Sequence, residues 1–282
     1  MTADENAAKS NGYTALRDIY YTKDNNERQS YDLFIPGEAS GSTGLILCIH
    51  GGGWNGGGKA DYLDAPEKAC AEKRHAAAAM NYRYVSESTG FGDILDDISS
   101  ALSSIKEQGK RYGVNFDRVL LTGISAGGHL SLLYAYTRKK TAPVRPVCVV
   151  ELCGPADFED PFYYSEENSI SKAVGSDYFR NLIYNGIGFR PSKDDKDGPE
   201  PLLRKYSPVN YIGKDSVPTV FGHGENDEIV PYRNSLDLDA KLTECGVEHT
   251  FISFPGSGHG CEDRASIKKI MELFFSCADR FL

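Results

Sequence analysis

Arg118-Val119-Leu120-Leu121-Thr122-Gly123-Ile124-Ser125-Ala126-Gly127-Gly128 is the stretch on which the fold turns. The apolar run over 118–124 reads as a strand buried on both faces of a sheet. It ends in Gly123-Ile124-Ser125-Ala126-Gly127, a G-x-S-x-G pattern, and a helix-like stretch follows. A sharp strand-to-helix turn lifts the serine oxygen above the sheet, and flanking glycines leave room for the crowded backbone. The helix beneath offers free amides to developing negative charge. G-x-S-x-G alone is common by chance, but in this strand–turn–helix setting it makes Ser125 a candidate nucleophile.

Outward from this turn, short apolar runs alternate with helix-length segments. Strands are predicted over 45–50, 75–80, 118–124, 147–152, 219–222 and 249–254, and helices over 93–112, 235–245 and 266–281. In the first helix Ile94, Leu95, Ile98, Ala101, Leu102 and Ile105 recur at helical spacing. This rhythm predicts an α/β fold, a mostly parallel sheet flanked by helices on both faces. Upstream, 15–21 and 29–35 read as an antiparallel pair at the sheet edge. Between 157 and 211 the rhythm breaks. A structureless loop of that length is improbable in a compact domain, so a short inserted cap over about 158–206 is expected within one domain, 1–282. Its aromatics, among them Phe162, Tyr163, Tyr178, Phe179 and Phe189, serve either a planar ligand or merely the insert's own small core.

Every strong motif falls in a loop just after a strand, where open α/β sheets bind ligands. His50-Gly51-Gly52-Gly53-Trp54 follows the strand over 45–50. Its glycines let backbone amides turn inward, so Gly52 and Gly53, with Ala126, are the candidate oxyanion hole. His50 reads as a structural residue holding that loop. Trp54, the single tryptophan, either walls the substrate pocket or packs against the loop; the pocket wall is the expectation. Six histidines compete to be the base. His259, in Gly256-Ser257-Gly258-His259-Gly260 after the last strand, can reach the top of the sheet. His249 begins that strand and should emerge at the wrong end. His129 is expected to pack beneath Ser125, and His75 and His223 to be structural. Gly222-His223-Gly224-Glu225-Asn226-Asp227-Glu228 carries the acid. Asp227 is favoured, with Glu225 as the alternative and Glu228 a solvated charge.

These motifs, with Asp227-Glu228-Ile229-Val230-Pro231 and Ser207-Pro208-Val209-Asn210-Tyr211-Ile212, resemble the α/β-hydrolases, in particular the hormone-sensitive-lipase and bacterial-carboxylesterase-like group. The resemblance spans roughly residues 15–282, and the order Ser125, Asp227, His259 is the order of that fold. It implies a serine carboxylesterase: two-step acyl transfer through an acyl-enzyme, with no metal and no organic cofactor. Tryptophan after the glycines is similar to acetylxylan and feruloyl esterases, which trim plant polysaccharides, and to kynurenine formamidases. Short-chain acyl esters, free or carbohydrate-linked, are therefore the expected substrates. A formamidase or other amidase shares the same chemistry, a peptidase is less favoured by the short cap, and a non-catalytic ligand receptor is the rival of another class. Ile124 stands where many hormone-sensitive-lipase relatives carry an acid, which loosens the subgroup but not the mechanism.

With 40% hydrophobic and 25% charged residues the chain can bury a large core without disulfides or metal. A formal net charge of −9 argues against nucleic acid and against an anionic membrane surface as partners. No apolar run approaches the roughly 20 residues that span a bilayer. The opening MTADENAAKS has no apolar core of a secretory signal, and the seven cysteines are scattered. Both point to reduced thiols in a cytoplasmic setting.

Overall fold

The computed structural model describes residues 7–10, 12–73, 75–191 and 198–282. Nine strands form one sheet: β1 (Ala7–Ser10), β2 (Tyr13–Tyr20), β3 (Ser30–Pro36), β4 (Gly41–Ile49), β5 (Ala76–Met80), β6 (Val114–Ile124), β7 (Arg145–Leu152), β8 (Thr219–Gly224) and β9 (His249–Phe254). Their order is β1-β2-β3-β5-β4-β6-β7-β8-β9. The run from β5 through β9 is parallel, whereas β1, β2 and β3 pair antiparallel. The helices are α1 (Ala65–Lys73), α2 (Phe91–Arg111), α3 (Ala126–Arg138), α4 (Ser169–Val174), α5 (Ser176–Ile187), α6 (Glu200–Tyr206), α7 (Arg233–Glu244) and α8 (Arg264–Phe281).

Alternation along the central strands builds two cores. Leu45, Leu47 and Ile49 of β4 join the stripe Ile94, Leu95, Ile98 and Leu102 of α2 on one face. Ile46 and Cys48 join Ala69 of α1 with Ile270 and Ala278 of α8 on the other. Side chains of this size each contribute roughly 1.5–3 kcal/mol when fully buried, so the sheet is held from both sides. The helix stripe read from the sequence is the face that α2 buries.

The predicted strands and helices all form, with ends shifted by a few residues. Two elements escaped the sequence reading. Helix α1 buries Pro66, Ala69 and Cys70, residues too small and few to stand out as an apolar stripe. Strand β1 is an edge strand of sequence AAKS whose ladder with β2 needs backbone groups alone. The antiparallel pair thus lies one strand in from the edge.

Between β7 and β8 the chain makes a 3-10 turn (Pro161–Tyr164) and then α4, α5 and α6. Asn234 of α7 fastens the start of this insert, its Oδ1 accepting from the amides of Ala156 and Asp157, each at 2.8 Å. Residues 192–197 of the expected cap lie outside the described residues.

Candidate active site

Ser125 sits between β6 and α3 with φ 57° and ψ −121°, a backbone conformation that L-residues rarely adopt. The turn is fixed on both sides. Its amide donates to Leu152 O at 2.8 Å, and the His129 amide donates to Ser125 O at 3.0 Å. Gly127 is obligatory, because a Cβ there would lie 1.9 Å from Ile49 O. The turn thus presses directly on the end of β4, from which the glycine loop departs.

That loop is strained as well. Gly52 has φ 95°, and a Cβ on it would meet Gly56 C at 2.5 Å. His50 anchors the loop as expected: its Nδ1–H donates to Gly51 O at 2.8 Å, and its Nε2 accepts from Arg28 Nη2 at 2.9 Å. The ring stacks on Tyr82 at 4.1 Å. Burial pushes its pKa down to about 4, so the ring is neutral and both bonds persist.

Asp227 follows β8 in a turn closed by its amide on Gly224 O at 3.2 Å. Its Oδ1 accepts from the amides of Ile229 and Val230 at 2.8 and 2.9 Å, and its Oδ2 accepts from His259 Nδ1 at 2.7 Å. Burial acts to raise its pKa, but hydrogen bonds from His223 and His259 outweigh it and hold the carboxyl well below the usual range. An ionised carboxylate only accepts, so His259 carries its proton on Nδ1 and keeps a lone pair on Nε2. His259 and Ser125 line one cavity of about 450 Å³ together with Gly52, Gly53 and Trp54. Among the described residues, the amides of Gly52 and Gly53 donate to no protein acceptor. Ala126 is buried at the head of α3, its amide at the helix N-terminus.

The BD-FAE family profile matches residues 31–242, about three-quarters of the chain. The chain belongs to the BD-FAE family. Among curated proteins, this BD-FAE chain is similar to the probable carboxylic ester hydrolase LipM of Mycobacterium tuberculosis, 26% identical over 73% of the chain and 46% of that protein. Esterase LipQ of the same organism is 23% identical over 80% of the chain and 52% of its own length. The chain thus spans about half the length of these two relatives. A truncated carbohydrate esterase from gut microbiota superposes with a TM-score of 0.72 at 22% identity, covering 96% of this chain and 98% of that one. That likeness shows a shared fold, the α/β-hydrolase fold.

Other predicted positions resolve within this BD-FAE frame. Glu225 is exposed and accepts from Ser253 Oγ at 2.6 Å, away from His259, and Glu228 is exposed too. His129 does not touch the Ser125 hydroxyl. It is fully buried, accepting from Trp54 Nε1 at 3.1 Å and donating to Tyr206 O at 2.9 Å. Trp54 touches the cavity, yet its ring is 2% exposed and packs among Phe91, His129 and Phe158. The expected wall is therefore mainly a foundation. Most aromatics of the insert likewise form its own core, Phe158, Tyr163 and Phe179 standing ring to ring. Tyr178 and Phe179 reach the cavity, joined there by Ile170 and Leu182.

The sequence reading gave His223 only a general structural role. It is buried, and its Nε2 lies 3.1 Å from Asp227 Oδ2. Its signal was the spacing, four residues before the acid across a turn. Cys153, also buried, brings its sulfur within 4.8 Å of ligand atoms of His223 and Asp227. Hydrogen bonds already occupy that histidine nitrogen and that carboxylate, so the trio does not read as a metal site. All seven cysteines are free, with Cys153 and Cys261 thiols 2.9 Å apart.

Proposed function

We propose that this chain is a serine carboxylesterase acting on short-chain acyl esters, with acetyl or feruloyl groups on plant carbohydrate as the sharper substrate reading. The observation that carries it is the 2.7 Å bond from His259 Nδ1 to a buried, ionised Asp227, with Ser125 strained into the same cavity. His259 Nε2 takes the Ser125 proton as Oγ attacks the ester carbonyl. The oxyanion is received by the amides of Gly52, Gly53 and Ala126; one such donor typically contributes about 2.7–4 kcal/mol. His259 then protonates the leaving alcohol, and water activated the same way releases the acid. No step calls on a metal or an organic cofactor.

The cavity supports an apolar acyl group. Leu182, Phe179, Ile170 and Val230 line it, and its volume is in the usual range for small ligands. Short helices of the insert act as its cap, pinned where Asn55 Nδ2 donates to the Tyr178 hydroxyl at 2.8 Å. The carbohydrate esterase from gut microbiota and a bifunctional GH43-CE protein of Bacteroides eggerthii share this fold, which supports the carbohydrate reading. Free thiols support a reducing, cytoplasmic setting, and among the described residues no helix is long and apolar enough to cross a membrane.

The test is a panel of p-nitrophenyl acetate, butyrate and octanoate, methyl ferulate, acetylated xylan and N-formylkynurenine, run beside Ser125→Ala. Turnover of acetate or butyrate that falls by several orders of magnitude in the variant is expected. Preference for N-formylkynurenine moves the reading to a formamidase. Unchanged turnover in a folded Ser125→Ala protein refutes it.

A further inference from the structure

We infer that a buried pair, Ser235 and His223, forms a second arm on the candidate triad acid, fixing the Asp227 carboxylate and moderating its pull on His259; this rests on the reading of Ser125, His259 and Asp227 above. His223 lies on β8 and Ser235 on the first turn of α7, and both are buried. The His223 ring bridges them. Its Nδ1 is 2.7 Å from Ser235 Oγ, while its Nε2 is 3.1 Å from Asp227 Oδ2 and 3.0 Å from Val230 O.

Chemistry decides the tautomer. A carboxylate oxygen and a carbonyl oxygen only accept, so Nε2 must carry the proton that faces both of them. Nδ1 then has a lone pair, which the Ser235 hydroxyl satisfies by donating. With the opposite tautomer, the Nε2 lone pair would face two oxygens in a buried site. Ser235 therefore sets the tautomer, and His223 turns its N–H toward both Val230 O and Asp227 Oδ2.

An ionised carboxylate has about four lone-pair sites. The amides of Ile229 and Val230 fill those of Oδ1, His259 fills one of Oδ2, and the His223 N–H, hydrogen-bonded to Val230 O at 3.0 Å, also faces Oδ2 at 3.1 Å. These contacts hold the carboxylate in place from both sides. Sharing Oδ2 between two histidines has a further effect: each donor draws electron density from the other. Without His223, the charge of Asp227 is spent on His259 alone, and the protonated form of His259 is better stabilised.

Other titratable groups around Asp227 are Cys153 beyond β7, Cys261 two residues past His259, and Tyr163 of the insert. Among the described residues, its ion-pair partners are His259 and His223. Among the described residues, no arginine or lysine pairs with Asp227 in competition with His223.

A purely structural His223 would tie β8 to α7 and do nothing more. The pH profile separates the two. His223→Leu, Ser235→Ala and His223→Gln are compared with the parent protein in kcat/KM for p-nitrophenyl acetate between pH 5 and 9, with the folded fraction measured by circular dichroism. His223→Leu should lower kcat about 10- to 100-fold with little change in KM. Its acid limb should move to higher pH, with Ser235→Ala moving the same way by less. His223→Gln, which keeps an N–H near the Nε2 position, should bring the limb back. Misfolding reduces amplitude but cannot move the limb. If the limb stays in place in both His223→Leu and Ser235→Ala, and the rates follow the folded fraction, the arm is refuted. Asp227→Asn in the same assay keeps the two ideas apart. A near-normal rate there overturns the triad itself, whereas a large loss there with silent His223 and Ser235 variants overturns only the arm.

Discussion

Replacing Ser125 by glycine should make the protein more stable than replacing it by alanine, although both should abolish ester hydrolysis. Ser125 has φ 57° and ψ −121°. A Cβ in such a region costs on the order of 1–3 kcal/mol. Alanine keeps that Cβ and the strain; glycine removes both. Glycine also gains freedom in the unfolded chain, which offsets roughly 0.5–1 kcal/mol. The methyl group lost is only half-buried at this position, so its burial contributes less than about 0.8 kcal/mol. The balance favours Ser125→Gly over Ser125→Ala by about 1 kcal/mol. In equilibrium urea unfolding, the glycine variant should show a midpoint higher by roughly 0.3–0.5 M with an unchanged slope. A glycine variant equal to or weaker than the alanine one would mean that the turn is not strained, and that the exposure of Ser125 is not held by the fold.

Two further outcomes follow from buried polar groups. Trp54→Phe leaves His129 Nδ1 without its donor in a fully buried site, while a ring remains to pack on Phe91 and Phe158; unfolding free energy should fall by about 1–3 kcal/mol, and no change would show that the bond is dispensable. Glu151 is buried, accepts from the Gly154 amide at 2.7 Å and leaves Oε1 unpartnered, and burial holds its pKa well above the carboxylate range. Its proton is held in the folded chain and released in the unfolded one, so stability falls as pH rises. Above pH 6.5 this should amount to about 1.4 kcal/mol per pH unit until the folded group ionises. Below that, His50 and His129, each pushed down to about 4 by burial, act in the opposite direction, because the unfolded chain takes up their protons first. Glu151→Gln should flatten the alkaline side in urea unfolding from pH 6.5 to 9, and curves parallel to the parent's would refute the assignment.

Much of the site was legible because its parts are local. The turn around Ser125 is marked by glycines within three positions of it, and Gly127 announces the close approach to β4. His259 was selected by its place after the last strand, and Asp227 was favoured over Glu225, the alternative in the same loop, because the chain turns into the next element directly after it. Elsewhere the signal was ambiguous. Trp54 carries the same letter whether it lines a pocket or supports one, and only its neighbours Phe91, His129 and Phe158 choose. The insert's aromatics are alike in this, since composition cannot say which two of them face the cavity. Helix α1 was missed because the residues it buries, Pro66, Ala69 and Cys70, are too small and few to leave a strong pattern.

By itself, then, the sequence determined the α/β rhythm, the sharp turn at Ser125, the glycine loop and the chain order of Ser125, Asp227 and His259. These follow from hydrophobic period and from backbone sterics, which act between near neighbours. Only the tertiary structure decided that His259 meets Asp227 across 32 residues, that Trp54 lies beneath the cavity, and that Ser235 and His223 stand behind the acid. Those contacts depend on which faces of distant elements come together, and on the burial that makes an unpaired polar atom costly; neither is written in any short stretch of chain.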